Sequence, residues 1–84
     1  MTRKTIVLGD EFDDGLAARL MENLKTAGAV PLSSEWSLAG SQEIRSLSAR
    51  IGSRIVEISS ETYVGLSISG PADIVDEIAA SLAR

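Results

Sequence analysis

An acidic turn near the start of the chain holds the residues best suited to chemistry. Four carboxylates fall within positions 10–14, namely Asp10, Glu11, Asp13 and Asp14. They follow a short apolar run, and open α/β sheets bind ligands just beyond the carboxyl ends of such strands. Clustered carboxylates can hold Mg²⁺ through water, so one interpretation is a carboxylate-dependent, Mg²⁺-assisted enzyme. The sequence favours a helix cap with solvated charges, because no glycine-rich phosphate loop or paired lysine accompanies the cluster.

The chain contains neither cysteine nor histidine. Disulfide bonds, cysteine nucleophiles and histidine acid–base chemistry are therefore excluded. A zinc site would have to rely on carboxylates alone, and no Gly-x-Ser-x-Gly motif occurs around any serine. We accordingly predict no catalytic residue, no metal site and no cofactor.

Charge and hydropathy argue against nucleic-acid and membrane partners. The formal net charge is −4, whereas nucleic-acid binders usually carry a basic footprint. The only basic concentration, Arg45, Arg50 and Arg54, is typical of solvated surface charge. No apolar run approaches the roughly 18 residues that span a bilayer, and the first one is too short for a signal peptide. We expect a cytoplasmic protein.

The elements that position the acidic turn are indicated by hydrophobic spacing. A length of 84 residues allows one domain with one core. Leu16, Leu20 and Leu24 recur at helical spacing, and Gly28 can end that helix. Pro31 cannot donate to a ladder, so a strand there should begin near it or lie at an edge. The predicted elements are strands at about 4–9, 29–33, 54–59 and 62–69, and helices at about 14–27 and 71–83.

Residues 41–51 fit two structures. Ile44, Leu47 and Ile51 lie at helical spacing, which favours a helix, while the serines at 46 and 48 weaken it and leave a strand open. The predicted fold is therefore α/β of the α+β type. It is a two-layer sandwich with a mixed sheet of three to four strands, in the order β-α-β-(α)-β-β-α.

The second face of the predicted sheet carries apolar residues. Alternation points one set of side chains toward the helices: Val56, Ile58, Val64, Leu66 and Ile68. The opposite parity turns another set away from the core: Val7, Ile55, Tyr63 and Gly65. A solvated sheet face should be polar, so either the helix considered at 41–51 or a second subunit covers these residues. We predict a second subunit, in a homodimer.

One stretch reads Asp13-Asp14-Gly15-Leu16-Ala17-Ala18-Arg19-Leu20 and continues with Ala27-Gly28-Ala29-Val30. It resembles the first loop and helix of ACT-type regulatory domains, which bind small ligands, often amino acids, at subunit interfaces. The resemblance implies ligand contacts at Asp13, Asp14, Gly15 and Leu16, and Asp10 of the acidic turn joins them as a candidate. ACT domains end on a strand after their second main helix, and this sequence departs from them there.

A second stretch reads Tyr63-Val64-Gly65-Leu66-Ser67-Ile68-Ser69-Gly70-Pro71, followed by Val75-Asp76. It is similar to the last strand and helix of type-two peptidyl-tRNA hydrolases and their uncharacterised relatives. The strand and helix that bear the catalytic residues of that family have no counterpart here. The resemblance therefore implies a related fold without hydrolase activity.

Two functions remain after these exclusions. The first is a small non-catalytic module that forms a homodimer and binds a small ligand or a protein partner. The alternative is the carboxylate-dependent, Mg²⁺-assisted enzyme at positions 10–14. The sequence does not identify the ligand.

Overall fold

The chain follows the element order β-α-β-β-β-β-α in a computed structural model that describes residues 2–10 and 13–82. The elements are β1 (Arg3–Gly9), α1 (Asp14–Thr26), β2 (Val30–Ala39), β3 (Gln42–Ile51), β4 (Arg54–Glu61), β5 (Gly65–Pro71) and α2 (Ala72–Leu82). The helices have 13 and 11 residues, and within the described ranges none is long and apolar enough to cross a membrane.

All five strands form one sheet in the order β1-β5-β4-β3-β2, and every neighbouring pair is antiparallel. Strands β2 to β5 follow one another as a meander, whereas β1 pairs with β5 from the far end of the sequence. The chain must therefore pass from one edge of the sheet to the other between β1 and β2. Helix α1 makes this connection.

Both helices pack on the same face of the sheet, and their leucine, valine and isoleucine stripes form a single core with it. The helices contribute Leu16, Leu20, Leu24, Val75 and Ile78, and the sheet contributes Ala49, Val56, Ile58, Leu66 and Ile68. Burial of these side chains is the main stabilising contribution, and the core contains no buried polar or charged residue within the described ranges.

The two-layer α+β class predicted from sequence is confirmed, but the predicted mixed sheet of three to four strands is wrong. Residues 42–51 form strand β3 rather than the favoured helix. Leu47, Ala49 and Ile51 alternate with polar residues and are partly or fully buried toward the helices. Leu47 and Ile51, four residues apart, satisfy both a helical and a strand period, whereas Ile44 lies on the opposite face of the sheet. Pairing with β2 and β4 decides for the strand.

Strand β5 begins at Gly65, three residues later than expected, because Thr62, Tyr63 and Val64 form the turn after β4. Thr62 anchors this turn to β3: its N–H donates to the carbonyl oxygen of Glu43 at 3.0 Å. Val64 is therefore half exposed instead of facing the helices.

Two exposed ion pairs tie α2 to the sheet. Lys4 Nζ on β1 lies 2.7 Å from Asp76 Oδ1, and the Arg54 guanidinium on β4 bonds the Asp73 carboxylate in the first turn of the helix. The hydrogen bond from Arg54 lowers the pKa of Asp73 below its ordinary value, and the same bond raises the pKa of Arg54. These pairs orient the start of α2 over the sheet.

Candidate functional site

The acidic turn builds the beginning of α1. Asp13 is the N-cap: its backbone is extended, and its Oδ1 accepts a hydrogen bond from the N–H of Leu16 at 3.0 Å. Its own N–H donates to the carbonyl oxygen of Asp10 at 3.2 Å, which closes the turn. Asp14 lies in the first helical turn, where the helix dipole favours a negative charge. The geometry is that of a helix cap.

The described residues of this turn differ in exposure. Asp10, Asp13, Asp14 and Gly15 are exposed, whereas the Leu16 side chain lies in the core. Glu11 lies outside the described residues. Among residues 2–10 and 13–82, no three acidic side chains lie close enough together to hold a metal ion.

Two cavities lie elsewhere on the helix layer. One, of about 450 Å³, lies between α1 and α2 and is lined by Asn23, Thr26, Ile74 and Glu77 among others. The other, of about 410 Å³, lies between α1 and the β2–β3 ribbon and is lined in part by Met21, Pro31 and Leu47. Neither is lined by residues of the acidic turn, so the small-ligand prediction at Asp10–Leu16 stays a prediction.

Replacing Asp13 tests the capping role. Asp13→Ala should lower the free energy of unfolding by about 1 kcal/mol, because the N–H of Leu16 loses its acceptor. Asp13→Asn keeps an acceptor oxygen and should lower the free energy of unfolding by only about a few tenths of a kcal/mol. Urea unfolding of the three proteins measures the difference. Equal stability of all three would show that the cap bond is not formed in solution.

The four residues predicted for the dimer interface are spread apart. Val7 and Ile55 are half exposed on the open face, defined here as the sheet face away from the helices. The strand register separates them by two strands and four residues, roughly 16 Å. Tyr63 lies in the β4–β5 turn, where it is 80% exposed. Gly65 is buried, and its missing side chain makes room for the carbonyl oxygen of Gly9 on β1.

Hydroxyl groups are frequent on the open face. Register places the following side chains there: Thr5, Ser33, Ser37, Ser46, Ser48, Ser59, Ser67 and Ser69. The hydroxyl groups of Thr5 and Ser69 hydrogen-bond to each other at 2.8 Å between the neighbouring strands β1 and β5. The open face is thus more polar than the alternation of β4 and β5 alone indicated, because β2 and β3 contribute six hydroxyl-bearing or charged positions to it: Ser33, Glu35, Ser37, Ser46, Ser48 and Arg50.

Strand β2 presents an apolar edge that sequence reasoning missed. It lies at the end of the strand order, with no further strand paired to its outer side in the part of the chain that the structure describes. Trp36 is 60% exposed and Leu38 is 59% exposed. We call residues 33–39 the β2 edge. The signal in the sequence was the alternation of Trp36 and Leu38 with Glu35 and Ser37, within a stretch that otherwise looks like a loop.

Glu43 shows which backbone groups of β2 point outward. Its carbonyl oxygen accepts from the N–H of Thr62 and its N–H donates to Thr62 Oγ1, both at 3.0 Å, so both groups point away from β2. Glu43 lies opposite Leu38, which makes this a non-hydrogen-bonded pair and turns the N–H and C=O of Leu38 out of the sheet. Alternation along the strand places the same groups of Trp36 and Ser34 on the outer side as well.

The opposite edge of the sheet is guarded. Strand β1 carries Arg3 and Lys4, and its register shifts between Val7 and Gly9. Basic side chains and bulges are the usual devices that keep an edge strand from pairing with another chain. On β2 the only charged residue is Glu35, and Pro31 with the neighbouring register shift protects only the beginning of the strand. Residues 33–39 stay open to pairing.

No family model, no curated protein and no solved structure matches this chain. Its function is therefore argued from its own residues.

Proposed function

We propose that this chain is a non-catalytic homodimeric module whose two copies join by pairing their β2 edges. The observation that carries the proposal is the β2 edge itself, which offers outward N–H and C=O groups at Ser34, Trp36 and Leu38 beside two exposed apolar side chains. The proposal keeps the cytoplasmic location expected from the sequence and invokes no cofactor.

A second copy suits this edge because strand pairing gives hydrogen-bond partners to the outward N–H and C=O groups of both copies at once. An exposed edge strand is a template for another strand with outward backbone groups, and β2 brings only one charge to the contact. A two-fold axis perpendicular to the sheet joins the two sheets into one and keeps all four helices on one side. A domain of this size also gains much from association, because it buries only about 60–65% of its unfolded surface alone.

Pairing through the open face is the competing arrangement. It would use Val7, Ile55 and Tyr63, which are exposed, but Gly65 is buried against β1 and cannot contact a partner there. The hydroxyl groups between Val7 and Ile55 would have to lose water on pairing, which costs free energy unless each finds a partner. The β2 edge avoids this cost because strand pairing satisfies its polar groups.

Charged substitutions distinguish the two arrangements. Light scattering at tens of micromolar should give about twice the monomer mass of 8.9 kDa. Trp36→Lys and Leu38→Lys should each weaken the dimer at least about tenfold, because lysine on an edge strand opposes pairing. Tyr63→Lys is the control, since Tyr63 is also more than half exposed but lies in the β4–β5 turn, and it should leave the dimer intact.

Dissociation by Tyr63→Lys with intact Trp36→Lys and Leu38→Lys dimers would assign the interface to the open face. A wild-type mass of 8.9 kDa at every concentration would overturn the proposal. Circular dichroism of each variant checks that the fold is retained, which we expect because all three side chains are more than half exposed.

The alternative enzyme function depends on Asp10, Glu11, Asp13 and Asp14 alone. Asp13 is engaged in the helix cap, which argues against a role as a metal ligand. Thermal melting with and without Mg²⁺ addresses this alternative, since a cation at 100 times its Kd would add about 2.7 kcal/mol to the free energy of unfolding.

A further inference from the structure

We infer that the two-fold axis of the dimer passes midway between the two Trp36 residues. Trp36 then lies opposite the partner's Trp36, and Glu35 lies opposite the partner's Ser37. This inference rests on the proposed function and adds the register, which fixes every contact across the interface. It is argued from the direction of the strands, the spacing of the outward backbone groups and the position of one charge.

The direction of the two strands and the outward backbone groups of β2 limit the registers that can form. A two-fold axis perpendicular to the sheet makes the two β2 strands antiparallel. In an antiparallel ladder, residues with outward N–H and C=O groups must lie opposite one another to exchange hydrogen bonds. Those residues on β2 are Ser34, Trp36 and Leu38. A slip by one residue would put them opposite residues whose N–H and C=O groups already point to β3. Registers that pair an even-numbered residue with an odd-numbered one are therefore excluded.

Three of the remaining registers keep at least two pairs among these residues, and they are centred on Glu35, Trp36 or Ser37. Centring on Trp36 pairs Ser34 with the partner's Leu38, Trp36 with the partner's Trp36, and Leu38 with the partner's Ser34. All three outward residues then form hydrogen-bonded pairs. Centring on Ser37 leaves Ser34 opposite the hairpin turn at Gly40, and centring on Glu35 sets Leu38 opposite Leu32, where the register of β2 shifts. Each of these two registers retains only two such pairs.

The side chains select the same register. Centring on Glu35 would place the two Glu35 carboxylates directly opposite each other on the open face, and like charges opposite each other destabilise a sheet. Centring on Trp36 instead sets each Glu35 opposite the partner's Ser37, whose hydroxyl can donate to the carboxylate. On the helix face the two indole rings become a directly opposed aromatic pair, a favourable cross-strand contact.

The absence of cysteine makes the register measurable with single introduced thiols. In the inferred register Glu35 and the partner's Ser37 form a non-hydrogen-bonded pair with Cα atoms about 4.5 Å apart, which a disulfide can span. Like positions, such as the two Glu35 residues, are then roughly 8 Å apart and too distant. Both residues are exposed on the edge, so neither change should disturb the core.

The experiment mixes purified Glu35→Cys and Ser37→Cys proteins at tens of micromolar under mild oxidation. We expect a disulfide-linked dimer from the mixture, with mass spectrometry showing one copy of each variant, and little from either variant alone. Ser53→Cys, on the exposed turn between β3 and β4, measures cross-linking by random collision. A second readout is the only tryptophan, whose circular dichroism should show coupling of two indoles at dimer-forming concentrations.

Each other outcome overturns the inference in a recognisable way. Cross-linking of Glu35→Cys alone, or of Ser37→Cys alone, would centre the axis on that residue. No cross-link above the Ser53→Cys level, with a dimer still seen by light scattering and sensitive to Trp36→Lys, would reject the register while the proposed function stands. No dimer at all would reject both.

Discussion

Gly65→Ala is expected to lower the free energy of unfolding by about 2–6 kcal/mol. The backbone at Gly65 has φ +116°, where an L-residue costs about 1–3 kcal/mol. An added Cβ would also lie 2.4 Å from the carbonyl oxygen of Gly9, and relieving such an overlap against backbone costs about 1–3 kcal/mol more. A domain of this length has a total stability of roughly 4–13 kcal/mol, so much of the protein could unfold.

Gly28→Ala is the matched control for this effect. Gly28 also has positive φ, +81°, but an added Cβ there meets no atom within 4 Å. It should cost about 1 kcal/mol, from the backbone alone. Urea unfolding of both variants measures the contrast. Equal losses would show that β1 and β5 do not approach as closely in solution as Gly9 and Gly65 require.

Leu20→Ala is expected to cost about 2–5 kcal/mol. Leu20 is 1% exposed at the centre of α1, where its side chain contacts the core that both helices and the sheet share. Truncation removes buried methyl groups and leaves a cavity that the surrounding structure only partly fills. The helical propensity of alanine offsets little of this loss.

The next residue along α1 provides the control for Leu20. Met21 is 49% exposed, so Met21→Ala should cost less than about 1 kcal/mol while making a comparable change in size. Thermal or urea unfolding should separate the two variants clearly. A Met21→Ala loss as large as that of Leu20→Ala would mean that α1 is rotated on the sheet relative to the structure described here.

Local sequence signals were sufficient for both helices. The predicted helix at 14–27 is α1 (Asp14–Thr26), and that at 71–83 is α2 (Ala72–Leu82). Each has an apolar stripe at helical spacing, and the acidic turn provides a helix cap at the start of α1. These signals act between residues within a few positions of each other, so they can be recognised without the rest of the fold.

The β2–β3 ribbon was not predicted because its stability comes from partners far along the chain. No strand was predicted beyond residue 33, and the spacing of residues 41–51 favoured a helix. What holds β3 as a strand is pairing with β2 on one side and β4 on the other. Pro31 was the exception, because its missing N–H predicted an edge or a strand start, and β2 is both an edge strand and begins at Val30.

The candidate functional features also divide into a local one, which the sequence predicted, and a non-local one, which it did not. The capping role of Asp13 depends on a hydrogen bond to Leu16, three residues away, and the sequence predicted a helix cap in the acidic turn. The β2 edge depends on the order of all five strands, since β2 is open only because β1 pairs with β5 at the other end of the sheet. No local pattern contains that information.

The unequal edges of the sheet also limit how far assembly can proceed. Within the described residues, β2 is the open edge of the sheet and β1 is the guarded one, so the proposed pairing through β2 would leave no open edge for a third copy. In the proposed homodimer the outermost strands would be two copies of β1, each carrying Arg3, Lys4 and an irregular register. Growth into a filament would need a second open edge on every subunit, so we expect the proposed assembly to close at two copies.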